Sequence, residues 1–142
     1  MKKARDIMTA NPQCVTPEDS ISRAAEIMRD ADVGVVPVVE DQGTMRLAGM
    51  LTDRDIVVRA VAERSDPATT TIGSIVTREV VMIEQHASAA DAAVLMRERG
   101  IRRVLVCDSD RKLVGIVSLG DLAMRLDPDS ALSDISEKAP TS

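Results

Sequence analysis

Two stretches of the chain combine residue types that could hold a ligand. The first is Gly49-Met50-Leu51-Thr52-Asp53-Arg54-Asp55 and the second is Gly115-Ile116-Val117-Ser118-Leu119-Gly120-Asp121. Each reads as glycine, two apolar residues, a hydroxyl residue, two variable positions and an aspartate. A hydroxyl residue where a strand ends and a helix begins can cap that helix. It also stands beside backbone N–H groups that lack intrahelical partners and suit a phosphate. The aspartate three residues on lies about one turn further on the same side. A carboxylate there can accept both hydroxyls of a ribose. For a single copy the plainer reading is stronger: Thr52 and Ser118 are caps, and Asp55 and Asp121 are carboxylates favoured by the positive end of a helix. Recurrence of the pattern at the same place in two copies tips the balance to binding.

No other constellation offers chemistry. There is no nucleophile–base pair, no Gly-x-x-x-x-Gly-Lys loop, no Gly-x-Ser-x-Gly elbow and no paired-histidine metal motif. His86, the single histidine, reads as a loop residue. Cys14 and Cys107 fall within or beside Val-rich strands and read as small buried hydrophobes. Met8, Met28, Met50, Met82, Met96 and Met124 occupy apolar positions and read as core filling in a chain without Phe, Tyr or Trp. We therefore expect no enzymatic activity, no metal and no required cofactor. The net charge of -5 and the lack of aromatic side chains speak against a nucleic-acid partner. No apolar run approaches the ~20 residues that span a bilayer. Met1 to Asp6 is basic but lacks the apolar stretch of a signal peptide. The expected location is the cytoplasm, with no membrane partner.

An internal repeat must position these motifs. Ile7-Met8-Thr9 aligns with Ile75-Val76-Thr77, Ala24-Ala25 with Ala92-Ala93, Met28 with Met96, Val36 with Val104 and Asp55-Ile56 with Asp121-Leu122. One two-residue gap, in the turn Asp41-Gln42-Gly43 against Asp108-Ser109-Asp110, keeps the register. The first copy spans 1–64, a linker 65–71, the second copy 72–126 and a polar tail 127–142. Each copy reads as a helical lead-in, a short strand (Gln13 to Thr16; Val80 to Glu84), a helix, two Val-rich strands covered on both faces, and a last helix. Ser20 and Ser88 can cap the first helices, with Asp91 where a capping-box acid would sit. Ile21, Ala24, Ala25, Met28 and Ala31 are expected to form one apolar face. The fold class is α/β (α+β): two β-α-β-β-α repeats packed sheet to sheet with pseudo-twofold symmetry. The last helices, Ile56-Val57-Val58 to Ala62 and Leu122-Ala123 to Leu126, are more apolar than one covered face requires.

The element order, the run Gly34-Val35-Val36-Pro37-Val38-Val39 and the two Gly-x-x-Thr/Ser-x-x-Asp signatures together resemble the CBS-motif family. The likeness covers residues 4 to 126 and is nearest to small stand-alone tandem pairs, called Bateman modules. The resemblance implies a regulatory sensor of adenine nucleotides, most often AMP, ADP or ATP, in some members NAD or S-adenosylmethionine. The alternative is a structural or protein-interaction module that keeps the fold without a ligand. It further implies two clefts between the repeats. In one, Asp121 holds the ribose and Ser118 the phosphate, Arg102 and Arg103 lie beside the phosphate, and Gln13, Val33 and Gly34 surround the base. In the other, Asp55 and Thr52 take those roles near Arg54, lined by Val81, Ile101 and again Arg102. The arginine pair makes the Asp121 cleft the better anion site, since guanidinium groups suit bidentate phosphate contacts. A disc-like homodimer and an unidentified protein target complete what the resemblance implies.

Overall fold

The structure, a computed structural model, describes residues 1–125. The expectations for Leu126 and for the tail 127–142 lie outside the described residues. The elements run α1 (Ala4–Ile7), β1 (Thr9–Ala10), α2 (Ile21–Ala31), β2 (Val35–Val39), β3 (Leu47–Thr52) and α3 (Asp53–Ile56). A π-helical turn (Val57–Val61) and a 3-10 turn (Ile72–Ser74) follow, then β4 (Met82–Glu84), α4 (Ala89–Arg99), β5 (Arg103–Cys107), β6 (Leu113–Ser118) and α5 (Leu119–Arg125). This is a mixed α+β chain with the expected repeat of elements.

The chain forms two compact units, and these do not follow the sequence repeats. One comprises residues 13–80; the other joins residues 1–12 to the chain from residue 81 onward. The lead-in of the first repeat thus belongs with the body of the second, and the lead-in of the second with the body of the first. The boundaries 1–64, 65–71 and 72–126 mark the repeats rather than the compact bodies.

In the 13–80 unit, β2 and β3 pair antiparallel, with Val36 opposite Leu51. α2 packs over them. Ser20 Oγ accepts from Arg23 N at 3.2 Å, and the helix ends at Asp32 in the left-handed region (φ 55°). Its buried stripe is Ile21, Ala24 and Ile27. Ala25 and Ala31, expected on that stripe, are exposed. Ala25 lies about 100° around the helix from Ala24, and Ala31 is the last residue of the helix. The strand expected over Gln13 to Thr16 reduces to one parallel bridge, Val15 to Val38. It lies between Pro12 and Pro17, neither of which can donate to a ladder. The core joins Val15, Ile21, Val36, Val38 and Leu51 to Ile72, Ile75 and Val76 from the lead-in of the second repeat.

In the other unit, one sheet has the order β1-β6-β5-β4, with β4 parallel to β5 and the remaining pairs antiparallel. Ser88 Oγ caps α4 by accepting from Asp91 N at 3.0 Å. Ala4 and Ile7 of α1 enter a core with Ala89, Met96, Val104, Val106, Val117 and Leu122. β2 and β5 are almost wholly buried, as read from their sequences. β3 and β6 instead alternate, with every second residue half-buried. One face of each packs into its unit's core and the other is only partly covered.

Candidate ligand site

Each signature begins with a glycine, and its place in the fold explains why. β-Carbons are excluded at Gly49 and Gly115 because a lead-in backbone crosses there. A Cβ on Gly49 would lie 2.6 Å from Thr77 O and 2.8 Å from Val76 Cγ2. One on Gly115 would lie 2.9 Å from Thr9 O and run into the Met8 side chain. These glycines serve the packing of the lead-ins, which frees the rest of the motif for the strand–helix junction.

At the β6–α5 junction, Ser118 Oγ accepts from Asp121 N (3.1 Å) while Asp121 Oδ2 accepts from Ser118 N (2.8 Å). This closed capping box fixes both side chains. Asp121 Oδ1 has no partner among the described residues, so it is an oriented acceptor with nothing yet to accept. Leu119 N donates to Arg102 O at 2.9 Å, which holds the residue before β5 against the start of α5. Arg103 pairs with Ser118 across the ladder. Arg102 Nε is buried and has no hydrogen-bond partner among the described residues. Leaving a buried donor unsatisfied costs about 1–3 kcal/mol, more for a charged group, and an anion at this place would recover that cost.

The β3–α3 junction repeats the scaffold. Thr52 Oγ1 accepts from Asp55 N and Asp55 Oδ2 accepts from Thr52 N, both at 3.0 Å; Asp53 N donates to Gly34 O, also at 3.0 Å. The surroundings differ. Asp55 Oδ1 lies 3.4 Å from Thr77 Oγ1 and 3.9 Å from Arg59 Nε. Asp53 Oδ1 accepts from Arg54 N at 2.8 Å.

Of the residues expected at the site, the structure gathers Ser118, Asp121, Arg102 and Arg103 at one junction and Thr52, Asp55, Arg54 and Gly34 at the other. Val81 and Ile101 lie in the same unit as the first group; Gln13, exposed, and Val33 lie with the second. Asp53, Thr77 and Arg59 were not anticipated. Asp53 stands in the open inside the motif, and its carboxylate at a helix start was the available signal. Nothing in the sequence near Thr77 or Arg59 announces a carboxylate partner.

The model of the CBS domain family matches this sequence twice, over residues 4–61 and 72–128. The chain belongs to the CBS domain family. Hypoxic response protein 1 of Mycobacterium tuberculosis (strain CDC 1551 / Oshkosh) is 40% identical to this CBS pair over 132 residues, spanning 93% of this chain and 90% of that protein. Among solved structures, Hypoxic Response Protein I with two coordinated zinc ions has a TM-score of 0.79 at 39% identity, covering 89% of this chain and 100% of that one. The CBS domain pair of protein MJ0100, in complex with 5-methylthioadenosine and S-adenosyl-L-methionine, has a TM-score of 0.73 at 29% identity, covering 87% and 94%. CBSX2 in complex with AMP has a TM-score of 0.74 at 25% identity, covering 94% and 98%. Among the described residues of this CBS pair, no group of His, Cys, Asp and Glu is arranged to hold a metal ion. No helix among them is long and apolar enough to cross a membrane.

Proposed function

We propose that this CBS pair is a regulatory sensor of an adenine nucleotide, without catalytic chemistry, and that the β6–α5 junction holds the sugar and phosphate. Two groups at one junction carry this reading: the buried Arg102 Nε and Asp121 Oδ1, both without a partner among the described residues. They are a cation lacking an anion and a carboxylate oxygen lacking a donor, the complement of a nucleoside phosphate. Asp121 Oδ1 accepts the ribose hydroxyls. Arg102, Arg103 and Ser118 Oγ take the phosphate. Solved relatives with bound AMP or S-adenosyl-L-methionine support the ligand class.

The same reading includes a cytoplasmic homodimer that reports nucleotide status to a protein target. Val57, Val58 and Val61 are 57%, 46% and 58% exposed after α3, an apolar face of the kind that subunits cover. Calorimetric titration with AMP and adenosine tests the site. AMP binding tighter by tenfold or more is the expected result; equal affinities would remove the arginines from the site. If none of AMP, ADP, ATP, NAD and S-adenosylmethionine shifts the melting temperature, the alternative of a ligand-free interaction module takes its place.

A further inference from the structure

We infer that Asp53 closes the β3–α3 junction to phosphate, so that each chain takes one phosphate-bearing nucleotide and not two. The inference rests on the nucleotide reading above and concerns how the two halves of the repeat divide that task.

The junctions share their caps and their backbone tie, Asp53 N to Gly34 O in one and Leu119 N to Arg102 O in the other. They differ at the groups a phosphate would meet. In the β3–α3 copy, Asp53 Oδ1 already accepts from Arg54 N at 2.8 Å. Asp53 Oδ2 lies 3.2 Å from the point where a Cβ on Gly34 would sit. The carboxylate therefore abuts the point at which residue 34 would begin a side chain, as Arg102 does at the equivalent position of the other copy. An incoming phosphate would have to displace a carboxylate already bonded to the amide, and would then face it at contact distance with no Arg102 counterpart to offset the repulsion. Arg54 is exposed, and its side chain makes no ion pair or hydrogen bond with Asp53 among the described residues; a solvated cation there is a weak compensation. Asp55 is also less available than Asp121, since Thr77 Oγ1 and Arg59 Nε approach its second oxygen. In the β6–α5 copy the corresponding residues are Leu119 and Gly120, which bring no carboxylate, and no side-chain acceptor among the described residues takes Gly120 N. Asp53 thus acts as an internal stand-in for the phosphate in its own half of the molecule.

Calorimetric titration with AMP, with adenosine as the uncharged control, tests this. The parent chain is expected to bind one AMP. Leu119→Asp, which transplants the carboxylate, should weaken AMP at least tenfold and leave adenosine within about twofold. Asp53→Leu, which removes the carboxylate and leaves Gly34 in place, should bind a second AMP, more weakly than the first, and it does not depend on the half-buried Leu119. Melting curves establish that each variant is folded. Two AMP per parent chain, an unchanged AMP affinity in Leu119→Asp, or a stoichiometry that stays at one in Asp53→Leu would each overturn the role of Asp53 while leaving the nucleotide reading intact. Absence of AMP binding in every variant would overturn both.

Discussion

Asp121 engages the backbone through one oxygen, and the other has no partner among the described residues. Asp121→Ala should therefore weaken AMP by at least tenfold, equivalent to about 1.4 kcal/mol. It should also destabilise the chain by about 1 kcal/mol, typical of a lost cap, because Ser118 N loses its acceptor. Titration and thermal melts measure the two effects separately. A stability loss with unchanged AMP affinity would return Asp121 to a purely structural role. Arg102→Ala should behave in the opposite sense. It should lower the preference for AMP over adenosine and cost little stability, since it removes a buried donor that has no partner among the described residues. The cysteines allow a pH test. Burial pushes the Cys14 thiol up, aided by Asp19 and opposed by Gln42; burial, Asp108 and Glu84 push up Cys107. A raised thiol pKa leaves less thiolate at a given pH. Iodoacetamide should modify Cys14 more slowly than free cysteine near neutrality, with the rate rising at higher pH, as followed by mass spectrometry. At this scale the sequence showed which residues share a motif, because spacing along a helix start is local. It did not show that the Asp53 carboxylate lies against Gly34, because that contact depends on strand pairing and not on local spacing.

The secondary elements were largely legible because their signals are short-range. Ser20 and Ser88 cap the helices the sequence assigns to them, and the Val-rich runs form the buried strands β2 and β5. Which body each lead-in packs into was not legible, for a physical reason. Ile7-Met8-Thr9 and Ile75-Val76-Thr77 are alike, so either could fill either body, and apolar pattern alone cannot choose between them. The glycines record the crossing. Gly49→Ala and Gly115→Ala should each destabilise by about 1–3 kcal/mol, the usual cost of overpacking, because the new methyl would meet Thr77 O or Thr9 O. Urea melts of both variants measure this. A change below about 0.5 kcal/mol, the range usual for innocuous surface sites, would show that the lead-ins yield freely.

At the scale of the whole molecule, the exposed valines after α3 predict the assembly. Light scattering at micromolar concentration should give twice the 15.3 kDa of one chain, and Val57→Asp with Val61→Asp should give the single-chain mass without loss of helix content. A parent mass of 15.3 kDa would leave that face uncovered in solution. The exchanged lead-ins bear on how the chain is made. Residues 13–80 hold a complete core of their own, so that body can fold on the ribosome as soon as it has emerged. The α1–β1 segment is made earlier but pairs with β6, Thr9 with Ile116, and packs with Leu122. At about 5–20 residues per second, its partner arrives roughly 5–20 s later. For about the last third of that interval, once residue 80 has been made, Ala4, Ile7 and Met8 trail in water with the 13–80 body already finished, a short apolar segment open to chaperones until the last strand is translated.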